Sequence, residues 1–164
     1  MFNTPLKTKL IFMALLLFLL PGCQSTSMRY QGKQVEPEFV VPLPGNLVND
    51  QWETSDLTIA YGYSENSQVL QIHGQVTLAD MYAEIYHVLD LFNVYLLFLD
   101  SDLTVIKTEI LADPVTASPK ENILFDKSFQ IPPTATAFSF AYYGTAREIE
   151  RKAGNSITFF HVPQ

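Results

Sequence analysis

The stretch Val69–Leu78 constrains this chain more than any other. Its ten residues alternate: Leu70, Ile72, Gly74, Val76 and Leu78 share one side, and Gln71, His73, Gln75 and Thr77 share the other. A period of two belongs to an extended strand with one face in a core and one in water. Residues 57–63 repeat the pattern, with Leu57, Ile59, Tyr61 and Tyr63 on one side. Between the two runs lies the turn cluster Ser64-Glu65-Asn66-Ser67-Gln68. Together they predict a β-hairpin with one wet face.

Further strands follow from the same reasoning. Residues 91–99 are almost wholly apolar. That run is too short to cross a bilayer, so it reads as a strand buried on both faces. Residues 103–111, 122–131, 135–143 and 157–162 are strand candidates as well. Asp100-Ser101-Asp102, residues 113–120 and Pro132-Pro133 separate them by turn chemistry. Residues 79–90 fit either a short helix starting at Asp80 or another strand. Gly144 reads as a strand end, and residues 146–154 as a charged link. About seven strands divided by turns predict an all-β fold, an antiparallel two-sheet sandwich with at most one short helix. A small barrel, or an α+β sheet if 79–90 is helical, are the alternatives. The 12 Phe, 8 Tyr and single Trp favour strands over helices.

The amino terminus has a different character. Lys7 and Lys9 precede eleven apolar residues, 10–20, and Pro21-Gly22-Cys23 closes them. Eleven residues at about 1.5 Å each cover roughly half of a hydrocarbon core. The layout is that of a secretory signal peptide. Leu20-Pro21-Gly22-Cys23 resembles the bacterial lipobox. That resemblance implies cleavage between Gly22 and Cys23, diacylglyceryl attachment to the Cys23 sulfur, and usually acylation of the new amino terminus, as with palmitate. Gln24 stands where an inner-membrane protein of the enterobacterial pattern carries Asp, so the resemblance favours the outer membrane of the cell envelope, on its periplasmic route. Cys23 is the only cysteine, which excludes an intrachain disulfide. The expected organisation is a cleaved signal at 1–22, a lipidated terminus and tether at 23–50 interrupted by Pro37, Pro42, Pro44 and Gly45, and a sandwich domain at 51–164.

A second resemblance concerns the domain. Val69-x-Gln71-Ile72-x-Gly74-x-Val76, then Phe98-Leu99-Asp100, then Val105-Ile106 is similar to small Ig-like domains of bacterial extracytoplasmic proteins, over about residues 57–145. It implies the fold and carries over no functional residue.

Charge and motifs narrow the function. Beyond residue 22 the side chains number eight basic against seventeen acidic, a net −9. Such a domain is a poor partner for nucleic acid or anionic headgroups, so membrane attachment is expected through the lipid on Cys23. His73 reads as a solvated surface residue, and His161 lacks a ligand at metal spacing. Glu84 and His87 have the helical spacing of di-iron bundles, which need several such helices. Asp100 and Asp102 open like a calcium loop, but Ile106 stands where a glycine is required. Nucleophile elbows, P-loops and dinucleotide fingerprints are missing. No catalytic, metal-binding or cofactor-binding residue is therefore assigned. Tyr61, Tyr63, Tyr142 and Tyr143 are the candidate partner-binding aromatics, because tyrosine joins apolar area to a polar tip. The expected function is a lipid-anchored, non-enzymatic binding or structural module with an envelope protein or glycan as partner. A glycan-directed envelope hydrolase with carboxylates assembled by the fold, or a small-ligand carrier, is the alternative.

Overall fold

The structure is a computed structural model describing residues 30–43, 45–113, 117–148 and 155–164. In chain order it holds β1 (Val41–Pro42), β2 (Asn46–Glu53), β3 (Leu57–Asn66), β4 (Val69–Leu78), a single-turn helix α1 (Asp80–Ile85), β5 (Val88–Leu99), β6 (Val105–Ala112), β7 (Ile123–Gln130), β8 (Ala137–Arg147) and β9 (Ser156–His161). One sheet runs β2-β3-β4-β7. The other runs β6-β5-β8, with β1 and β9 both on β8, and every pairing is antiparallel. The chain changes sheet between β1 and β2, between β4 and β5, between β6 and β7, and between β7 and β8. The set β3-β4-β7 facing β6-β5-β8-β9 is the Greek-key arrangement of an Ig-like sandwich. The expected fold class is met. The ambiguous stretch 79–90 divides into α1 and the start of β5.

The alternating hairpin forms as its pattern dictates. Ile59 pairs with Val76 and Tyr63 with Ile72, and all four are buried. Its turn is tighter than the polar cluster suggested. β3 runs on to Asn66, and only Ser67 and Gln68 turn the chain, both at positive φ (50° and 61°). Two left-handed residues give the twist that a two-residue hairpin needs. The Asp100 turn is held by its own carboxylate: Oδ1 accepts from the amides of Asp102 and Thr104, each at 3.0 Å.

Between the sheets, Phe92, Val94, Leu96 and Phe98 of β5 and Phe138, Phe140 and Tyr142 of β8 meet Leu57, Ile59, Leu70, Ile72 and Val76. Rings cross edge to face: Tyr63 and Phe138 lie 5.1 Å apart at 86°, and Tyr61 and Phe140 lie 5.1 Å apart at 66°. Such pairs add about 0.5–1.5 kcal/mol each beyond area burial.

Three expectations need correction. Nine strands occur rather than seven, and the two extra ones, β1 and β2, fall within residues 41–53. The tether assigned to 23–50 is therefore too long, since its described part, from residue 30 onward, belongs to the folded domain. The reason lies in β5. Its outward residues Tyr95, Leu97 and Leu99 are as apolar as its inward ones and need a cover, which Tyr30 and Val35 provide in a second small core. The Tyr30 ring meets Tyr95 edge-on at 5.4 Å. Gly32 N–H donates to Val105 O at 2.9 Å, and Gln34 and Gln164 exchange backbone hydrogen bonds at 2.9 and 3.1 Å. The prolines are accommodated: Pro37 opens a 3-10 turn, Pro37–Phe39, and Pro42 sits on an edge strand. Gly144 likewise does not end its strand, since β8 continues to Arg147. A Cβ at Gly144 would come within 2.4 Å of the Phe159 ring, so β9 packs closely because that side chain is absent.

Candidate functional site

The outer face of the four-stranded sheet carries a groove of about 990 Å³. Its origin is local. Along β3 the outward positions are Thr58, Ala60, Gly62 and Ser64, all short. On β4 the outward positions are Gln71, His73, Gln75 and Thr77, mostly long. Gln51 of β2 pairs with Ala60, Ala60 with Gln75, and Gln75 with Leu124 of β7. One step along the strands, Gly62 pairs with His73, and His73 with Asp126. Ala60 and Gly62 thus lie low between taller polar neighbours, and the groove follows β3.

Its walls are amides, acids and one imidazole. Gln75 is positioned by Asn122, whose Nδ2 donates to Gln75 Oε1 at 3.4 Å, while Thr77 Oγ1 donates to Asn122 Oδ1 at 3.0 Å. At the β2 side, the Asp50 carboxylate accepts from the Gln51 backbone N–H at 2.8 Å and from Tyr61 Oη at 3.2 Å. Among the described residues, the side chains of Gln51, His73 and Asp126 make no hydrogen bond or ion pair within the protein. Leu124 is 75 % exposed and supplies apolar surface beside them. The arrangement offers paired donors and acceptors on a rigid sheet.

Three of the four tyrosines expected to bind a partner turn their side chains into the core. Tyr61, Tyr63 and Tyr142 are buried, at 3, 7 and 1 % exposure, so they form no surface patch. Each sits in an inward register position and reaches the rim of the core with its hydroxyl. Tyr63 Oη donates to Pro42 O at 3.1 Å, and Tyr142 Oη donates to Asp56 Oδ2 at 2.7 Å while meeting Thr54 Oγ1 at 2.8 Å. Tyr82 Oη donates to the second Asp56 oxygen at 2.7 Å. Burial first, and then the neighbouring Asp50 or Asp56 carboxylate, raises the pKa of Tyr61 and Tyr142 well above the usual phenol value. These groups hold the fold as neutral donors. Tyr143 alone of the four is half-buried; it pairs in register with Phe160, which lies on the neighbouring strand of the same sheet and is 58 % exposed.

The remaining candidates separate. His73 lines the groove. His87 is exposed and lies beyond α1, so it shares no helix with Glu84. His161 is half-buried, with ring centroids at 4.5 Å from Phe39 and 5.2 Å from Trp52, and desolvation lowers its pKa. Gly22 and Cys23 lie outside the described residues. Among the described residues, no group of three or more His, Cys, Asp or Glu could hold a metal ion, and no helix is long and apolar enough to cross a membrane.

The hairpin's wet face was legible in the sequence, but the groove was not. The missed signal is the contrast between the short outward series 58, 60, 62, 64 and the amide-rich series 71, 73, 75, 77. Its walls on β2 and β7 come from distant segments that only sheet pairing brings alongside. No protein-family model, curated protein or solved structure matches the chain.

Proposed function

We infer that the protein is a lipid-anchored envelope protein whose sandwich is a non-enzymatic binding module, with the groove along β3 as its binding face. The observation carrying the binding role is that groove: a wide furrow of mixed polar and apolar lining on a four-stranded sheet, in which the side chains of Gln51, His73 and Asp126 are not committed to the protein's own hydrogen bonds. The anchor rests on the lipobox-like Leu20-Pro21-Gly22-Cys23. Two or three acyl chains at Cys23 exceed what stable anchoring requires. Residues 24–29 then separate the lipid from Tyr30, a reach of about 20 Å. The domain works close to the bilayer surface.

Binding is favoured over hydrolysis by the placement of the acids. Asp50 on β2 and Asp126 on β7 stand three strand spacings apart. In register Asp50 falls beside inward-facing Tyr61 and Asp126 beside outward-facing His73, so the two carboxyls leave opposite faces of the sheet and do not flank one glycosidic bond as the acids of glycosidases do.

Two measurements test this reading. In the full chain, Cys23→Ser should abolish labelling by a fatty-acid probe and release the protein from membranes, with an unchanged thermal midpoint. Label surviving the substitution refutes the anchor. A photoreactive residue in place of Leu124 should capture an envelope component, whereas the same probe at the exposed Met81 should not. Equal capture at both positions overturns the groove as the binding face.

A further inference from the structure

We propose that the groove takes a neutral glycan chain laid along β3. The proposal rests on the binding-module reading and names its ligand class. Three observations carry it.

The lining is chemically matched to hydroxyl groups. Gln51 and Gln75 face each other across Ala60, each with one amide acceptor and two donors. A sugar hydroxyl both donates and accepts, so it can be satisfied by such amides at either end. Asn122 fixes Gln75 from outside the groove, which orients its amide before any ligand arrives.

The shape suits a chain rather than a compact ligand. The furrow follows a strand, is open along its length and has low ground at Ala60 and Gly62. It also has no deep apolar hole of the kind that anchors a peptide side chain. Strand addition of a peptide needs a free sheet edge, and this groove lies on a face, with β2 and β7 flanking β3 and β4. Leu124 and the backbone of the floor offer apolar surface to the C–H side of a sugar ring.

Charge selects against anionic glycans. Asp126 faces the groove, Asp50 stands at its β2 margin with its carboxylate turned to Tyr61, and the cations Lys and Arg are missing from the lining. A polyuronate would meet like charge there.

The test uses the full chain in a non-glycosidic detergent, titrated calorimetrically with cellotetraose, maltotetraose, chitotetraose and tetragalacturonate. At least one neutral tetraose should bind, and tetragalacturonate should bind roughly tenfold more weakly or not at all. Gln75→Ala should weaken the neutral ligand by roughly tenfold, and Ala60→Phe should remove binding by filling the floor. Unfolding midpoints confirm that both variants fold; should Ala60→Phe fail to fold, chemical-shift mapping of His73 and Gln75 in the wild-type chain replaces it. Failure of all three neutral tetraoses, preference for tetragalacturonate, or shifts confined to the Phe160 face overturns the glycan assignment. Crosslinking of a protein through position 124, without sugar binding, overturns the glycan assignment while leaving the binding module standing.

Discussion

Asp56 illustrates how single residues hold this sandwich together. Its two carboxylate oxygens accept from Tyr82 and Tyr142, one on the helix that leaves the first sheet and one in the second sheet. Hydrogen bonds to a charged acceptor contribute about 1.5–3 kcal/mol each. Tyr142→Phe keeps the buried ring and removes only the hydroxyl, so it should destabilise the fold by about that amount, measured as a shift in the urea midpoint. His161 gives a pH signature. Burial lowers its pKa against the opposing influence of Glu36 and Asp56. The unfolded chain therefore takes up the proton more readily. Its contribution is complete above the ordinary histidine value of 6.5 and is lost as pH falls below it, toward the lowered folded value. Melting at pH 7 and pH 5 should show His161→Phe losing less stability on acidification than the wild type; an equal loss would contradict this.

Particular elements carry more than their local pattern suggests. The β3–β4 turn is built from Ser67 and Gln68 at positive φ, where neither has a glycine's freedom. Replacing the pair by Asn-Gly should raise stability by about 1 kcal/mol, seen as a higher urea midpoint. A neutral or negative change would mean that these side chains support the turn in some other way. The segment before β1 gives the opposite case. Tyr30 is 3 % exposed over the outer face of β5. Tyr30→Ala should destabilise the domain by about 3–5 kcal/mol, the range for large aromatics in cores. Were Tyr30 part of a tether, the substitution would change the unfolding midpoint by less than about 0.5 kcal/mol.

At the scale of the whole molecule, the two sheets divide their tasks. The β6-β5-β8 sheet is covered on its outer side by the amino-terminal segment, and Gln34 pairs with the carboxyl-terminal Gln164. Among the described residues nothing covers the groove on the outer face of the other sheet. Entry of the chain against one sheet and recognition on the other would let an anchored domain turn its groove away from its point of attachment. The Cys23→Ser and tetraose experiments address these two halves independently.

The sequence by itself determined the periodicity of the strands, and with it the sandwich. All seven strands expected between residues 57 and 162 occur, because alternation is a property of one strand and is written in consecutive residues. It also set the turn at Asp100 and the two-sided burial of residues 94–99, while Leu91, expected within that buried run, is 57 % exposed. Lateral neighbours were decided by the tertiary structure alone. Residues 41–50 resemble a tether when read singly, and join strands because β8 and β3 supply the hydrogen-bonding partners. Tyr61, Tyr63 and Tyr142 carry polar tips that suit an interface, yet Asp50, Pro42 and Asp56 satisfy those tips from within the fold. The groove needs Gln51, Ala60, Gln75 and Leu124 on one rung, four residues from four strands. A rung runs across the chain rather than along it, so its composition is invisible until the strands are paired.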